Sequence, residues 1–328
     1  MSNEPQTEEQ GAETMTRRLA KWGLPAAISL AAVVYLSRII DFASLSDLMT
    51  ARAAAILFAA LIVYGVWSLL FDALTLKRLV HASRSDFTLV TAARVKAASY
   101  LLALAHYTLG AAALALLVRR RAGVGLAKAA GIVMLIMMFD LGIVLSLVAV
   151  GATLVSETQV ELQLGLIVAV IAVIAGGLSL LRAPFSLGPL DRIRDLELFH
   201  TARTIPARDL VELGLLRLAF VMGFELMGWA ALYAFQIDVP FGALLVNFSG
   251  VVLVAMLPAI AGIGPSQIAM VEFFKLYGTP ESLLACSLAM SAGLIVMRAL
   301  TGIVFARELG REAYIAARDA EASTEEEA

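Results

Sequence analysis

The chain has 328 residues, 60% of them hydrophobic and 16% charged, with a formal net charge of −2 and a mean hydropathy of +0.86. That balance excludes a soluble globular domain of ordinary composition and leaves no basic excess for holding nucleic acid. The single cysteine, Cys286, cannot form an internal disulfide and reads as a small buried apolar residue.

Residues 1–22 are polar, acidic and free of apolar periodicity, so they read as a disordered cytosolic tail. The stretch "TRRLAKWG" (16–23) has a twin-arginine look, but the run after it contains Arg38 and no small-residue cleavage site. A retained first helix with a cytosolic basic flank follows. A transmembrane domain is expected over 23–306. Beyond it, 307–328 alternates Arg and Glu at helical spacing before an acidic end, as a last helix running out into water would.

Eight apolar runs lie between the tails, at about 24–43, 53–73, 97–118, 127–154, 164–181, 210–235, 241–261 and 283–305. Several approach the roughly 20 residues needed to cross a bilayer, which makes the chain an all-α polytopic membrane protein. Eight spans would put the basic stretches 119–128 and 192–208 outside, against the positive-inside rule. If 97–118 instead dips in from the cytosol and returns, every basic loop becomes cytosolic and the acidic loop at 156–163 external. A second hairpin over 241–278, entering from outside, then leaves Arg307, Arg311 and Arg318 in the cytosol. The preferred topology is six spanning helices plus two re-entrant hairpins, with both termini cytosolic; eight spans is the alternative.

The hairpins resemble one another. In the first, Gly110 precedes an apolar helix ending in Arg119, Arg120 and Arg121, then Gly123 and another helix. In the second, Gly264 precedes an apolar helix ending in Lys275, then Gly278 and another helix. The topology turns the copies upside down relative to each other, an inverted repeat of the kind that places transporter sites between its halves. Within "LPAIAGIGPSQIAMVEFF" (257–274), Pro258, Gly262, Gly264 and Pro265 break a helix and restart it. The restarted helix, with Ser266 and Gln267 in its first turn, is expected to offer amides and a positive dipole end to an anionic headgroup.

Ionisable residues inside apolar runs add candidates. Asp140 lies near the middle of its run, where a charge costs at least about 2.5 kcal/mol on insertion scales, so it needs a partner or a proton. Arg217 and Glu225, two turns apart, are placed to line one cavity. Arg298 lies in the last run. Arg119, Arg120 and Arg121 are read as a cytosolic gathering site for anionic headgroups. No P-loop, metal-protease helix, nucleophile elbow or Cys/His cluster is present, and His81, His106 and His200 are scattered, so no catalytic residue, metal or cofactor is expected.

Residues 247–300, with their Pro, glycine pair, polar turn, apolar helix, Gly and final Arg-bearing helix, resemble a signature of the lysylphosphatidylglycerol synthase transmembrane, or flippase-like, group. Residues 107–142 are similar to the other signature of that group. The resemblance covers most of 53–305, and Gln267 stands where many relatives carry an acid. It implies a membrane protein of a bacterial or archaeal plasma (inner) membrane that binds and translocates an anionic phospholipid or lipid-linked headgroup. The group's soluble synthase domain has no counterpart in this sequence. A membrane-embedded lipid transferase or its subunit, and a non-transporting scaffold, are the alternatives; a second copy of the chain or a lipid-synthesising enzyme are the further expected partners.

Overall fold

The structure, a computed structural model, describes residues 48–81, 87–105, 107–155, 199–256 and 264–305, with the single positions 168, 176 and 196. The expected tails, the first apolar run, the loop at 156–163, most of 164–195 and Gly262 lie outside these residues. All described regular structure is helical: α1 (Ala51–His81), α2 (Leu89–Ala105), α3 (Tyr107–Ala122), α4 (Leu126–Val155), α5 (His200–Thr204), α6 (Ala207–Ala234), α7 (Phe241–Ala255), α8 (Pro265–Phe274) and α9 (Pro280–Val304).

Three of these helices, α1, α4 and α9, are long and apolar enough to cross a membrane. Their burial pattern suits lipid. Phe58, Ile62, Val66 and Leu70 form one stripe of α1 at i, i+4, i+8 and i+12, and they are 66%, 51%, 67% and 43% exposed. The polar side chains Ser68, Asp72, Thr75, Arg217, Glu225, Ser249 and Gln267 are buried instead. An apolar exterior, with charged and polar side chains buried among the apolar core instead of facing out, is not the pattern of a soluble helical protein.

Local sequence sets the helix ends. Thr279 caps α9 by accepting from the Ser282 amide, and Pro280 and Glu281 fill its first turn. At the end of α3, Gly123 takes φ 62° and the Val124 amide reaches back to the Arg119 carbonyl at 3.1 Å. This is the six-to-one bond of a left-handed helix stop, for which glycine is best suited. Gln236 closes α6 in the same way at φ 60°, with the Ile237 amide on the Leu232 carbonyl.

The frame of the molecule is the pair α1 and α6. Arg52 meets Tyr233 at one end, Trp67 Nε1 donates to the Ala219 carbonyl in the middle, and Arg78 bonds Asp209 and Glu212 at the other end, so the two helices run antiparallel. Two apolar cores lie at opposite ends of this pair. One joins the start of α1 and the end of α6 to α7, α8 and the start of α9. The other joins the end of α1 and the start of α6 to α2, α3 and the start of α4. Each core therefore contains one helical hairpin, α7–α8 or α2–α3. The hairpin helices are short: α2 spans about 26 Å and α8 about 15 Å at 1.5 Å per residue, against roughly 30 Å of hydrocarbon.

The hairpins differ at their turns. Gly264 stands immediately before α8, whereas Gly110 lies inside α3, where it lets the helix approach Ala103 of α2. The backbone of α3 has already turned helical at Tyr107, so the first hairpin uses its glycine for close packing and the second uses its glycine for the break.

Candidate functional site

The candidate site is a layer of charged and polar side chains between the two cores, set on the middle of α1 and α6. Its centre is Arg217, 1% exposed. The α6 register turns the guanidinium toward both α1 and α4. Nε and one terminal nitrogen hold Asp140 bidentately at 2.6 and 2.8 Å, and the other terminal nitrogen reaches Asp72 at 2.6 Å. Phe220 covers one face of the guanidinium, 3.9 Å from ring centre to carbon. Lys96 of α2 completes the group with Nζ 3.1 Å from Asp72, and the Tyr100 hydroxyl donates to the same carboxylate oxygen at 3.3 Å. Two carboxylates thus face two cations. Such a group is stable while intact, but removing one member strands a buried charge.

Asp140 therefore has the partner that its position in an apolar run demands. Asp72 and Lys96 were not singled out by the sequence. Each sits at the border of an apolar run, where charge is unremarkable, and only the docking of α1 along α6, with α2 packed on α1, brings them into the buried layer around Arg217.

Arg217 and Glu225 do not face the same neighbours. Eight residues are about 2.2 helical turns, so their side chains point roughly 80° apart around α6. Arg217 faces α1 and α4, whereas Glu225 faces α7, where Ser249 Oγ donates to its Oε1 at 2.6 Å. Glu225 Oε2 is buried with no hydrogen-bond partner among the described residues.

Arg298 projects from α9 on the side of α1 and α2. The helices α9 and α1 are parallel here, with Gly293 against Leu61 and the Met297 sulfur over Gly65. Arg298 is consequently level with the middle of the 31-residue α1. It is half-buried, within electrostatic reach of Tyr64 and Tyr100, and makes no hydrogen bond or ion pair among the described residues.

The start of α8 is more closed than the sequence implies. Gly264 adopts φ 120°, a conformation that L side chains rarely take, and Pro265 begins the helix. The Gln267 side chain, fully buried, folds back so that its carbonyl oxygen accepts from the Gly264 amide and the Ser266 hydroxyl, while its amide nitrogen donates to Ser291 of α9 at 3.2 Å. One amide expected to be open to a headgroup is thus satisfied within the chain. Arg119, Arg120 and Arg121 occupy the last turn of α3, beside the second core rather than in the buried layer.

An apolar groove of about 510 Å³ runs between α4 and α6, lined by Ile143, Leu147, Val150, Val211, Leu215 and Leu218. It begins at Ile143, one turn along α4 from Asp140. Among the described residues no cluster of His, Cys, Asp and Glu could hold a metal ion. No family model matches the chain, and no curated protein or solved structure matches it either.

Proposed function

We propose that the protein is a flippase-like translocator that binds an anionic phospholipid or lipid-linked headgroup at mid-depth and passes it across the bilayer. Arg298 carries the reading. Asp72 and Asp140 balance Arg217 and Lys96, so that cluster is complete without a ligand. Arg298 lies within electrostatic reach of Tyr64 and Tyr100, whose hydroxyl bonds Asp72, and no carboxylate among the described residues is bonded to it. A lone guanidinium at that depth costs upward of about 2.5 kcal/mol on insertion scales. A phosphate held by its planar fork supplies the missing charge, and the nearby Tyr64 hydroxyl can donate to a further phosphate oxygen.

The surroundings support a lipid rather than a free solute. The apolar groove between α4 and α6 suits an acyl chain, and the exposed faces of α1 and α6 are apolar. The hairpins α2–α3 and α7–α8 lie at opposite ends of the α1–α6 pair, which favours a cycle in which one hairpin and then the other opens the buried layer. In this reading both termini and the stretch 119–128 are cytosolic. External labelling of Arg120→Cys, in a Cys286→Ser background, would overturn that topology.

Lipids co-purified with the full chain test the binding claim. An anionic lipid should be enriched with the wild type and lost from a folded Arg298→Gln protein. Equal retention by both would overturn the assignment of Arg298.

A further inference from the structure

Glu225 is a buried acid that the Arg217 cluster does not use. It is 1% exposed, its Oε1 accepts from Ser249, and its Oε2 has no partner among the described residues. Its place in the molecule is informative. Asp72 and Glu225 are 153 residues apart (225 − 72), and so are their bonded neighbours Lys96 and Ser249 (249 − 96). Moved by the same interval, α1 to α4 fall on α6 to α9 in order, with most helix bounds within a few residues. The packing follows the exchange: α4 on α7 answers α9 on α2, and α6 on α4 answers α1 on α9. Equivalent positions of the two halves therefore hold a carboxylate with an ammonium in one and a carboxyl with a hydroxyl in the other.

The groups around Glu225 do not supply a counter-charge. From α7 comes Ser249, and from α1 come Tyr64 and Trp67, packed on Phe224 and Gly223. From α4 the charged group is Asp140, bound to Arg217 two turns away; from α9 it is Arg298, within electrostatic reach of Tyr64 and Tyr100 and bonded to neither. No described cation bonds to Glu225. Burying an ionised carboxylate with one hydrogen bond and no counter-charge is far costlier than burying the neutral acid.

We infer that Glu225 is a proton-binding site: it carries a proton in the conformation described here and releases it to water when movement of the α7–α8 hairpin lets water reach it. The O–H bond breaks, the proton passes to water as hydronium, and the carboxylate remains. The site deepens the translocation reading and rests on it for its use, since proton release would then drive one hairpin and link lipid movement to proton flow.

Two readouts on the full chain in phosphatidylglycerol-containing nanodiscs test the site without relying on lipid movement. The first is infrared spectroscopy. A carboxylic carbonyl band, shifted by deuteration, should be present at neutral pH, fade at alkaline pH and be missing from Glu225→Gln; Ser249→Ala should move its midpoint. Absence of that band from the wild type at neutral pH would overturn the inference. The second is the distance between spin labels at Leu116→Cys of α3 and Phe273→Cys of α8, both exposed positions, in a Cys286→Ser protein. It should change with pH in the wild type and in Glu225→Asp, which keeps the site testable if Glu225→Gln folds poorly, and should ignore pH in Glu225→Gln. A pH-independent distance in the wild type, or a pH response kept by Glu225→Gln, would overturn it. If both readouts hold while no lipid moves, the proton site stands and the lipid assignment falls.

Discussion

Asp72 and Glu225 are buried acids on the two antiparallel helices that frame the molecule, and each bonds a side chain from the first helix of its own hairpin, α2 or α7. Asp72 is bonded by the cations Lys96 and Arg217 and by the Tyr100 hydroxyl; among the described residues Glu225 is bonded by the Ser249 hydroxyl alone. One scaffold thus presents two kinds of acid. The first is fixed as an anion by the cations that share it, and the second has nothing to hold a charge. The difference shows that helix order and packing can be alike in two halves while the electrostatics are not, so a function built on the pair need not be symmetric.

The largest expected effect comes from removing the cation on which the first half depends. Arg217→Met leaves Asp72 with Lys96 and the Tyr100 hydroxyl but strips Asp140 of its cation, and should cost about 3–5 kcal/mol, the usual price of stranding a buried charge. Thermal unfolding in detergent measures this, and adding Asp140→Asn to Arg217→Met should recover part of the loss. If Arg217→Met unfolds like the wild type, the ionic layer contributes nothing to the fold.

The two halves part company in the next pair. Asp140→Asn keeps a hydrogen-bonding end on Arg217 but loses the charge-assisted bidentate contact, a loss of about 1–3 kcal/mol. Expression should stay near normal while lipid movement stops. Glu225→Gln replaces one neutral group by another of the same shape and should change stability by less than about 1 kcal/mol. Equal costs for the two substitutions, measured by the same unfolding experiment, would erase the distinction drawn between the halves.

The hairpin turns offer a finer comparison. Gly264→Ala forces a side chain into φ 120° and should cost about 1–2 kcal/mol, with Gly264→Val worse and anionic lipid retention falling in step. The smallest effect runs the other way. Gln236→Gly relieves a left-handed residue at the end of α6 and should stabilise the protein by about 1 kcal/mol, read as a higher melting temperature with lipid retention unchanged.

The helical class and the helices long enough to span were legible in the sequence because apolar runs and their breaks are local signals. The stop at Gly123 and the break at Gly264 were legible too, since glycine there answers a backbone demand. Pairings between distant helices were not. Asp140 announced that it needed a partner, but nothing local distinguishes Arg217 from Arg298 as that partner. Asp72 was not legible as a site residue because Lys77 and Arg78 follow it and make the end of its run look like an ordinary polar border. Gln267 misled in another way: its residue type suits a phosphate, yet the same amide can fold back onto its own helix start, and the Ser291 hydroxyl on α9 makes that choice satisfactory.

The central claim is that an anionic headgroup crosses the bilayer through the layer that Arg298 borders. Transbilayer movement of fluorescent phosphatidylglycerol in proteoliposomes measures it directly, by the fraction of label made accessible to an external quencher over time. The wild type should move the lipid well above the protein-free rate, and Arg298→Gln, folded and incorporated to the same extent, should fall back to that rate. A wild type no faster than empty vesicles, or an Arg298→Gln protein as fast as the wild type, would contradict the account.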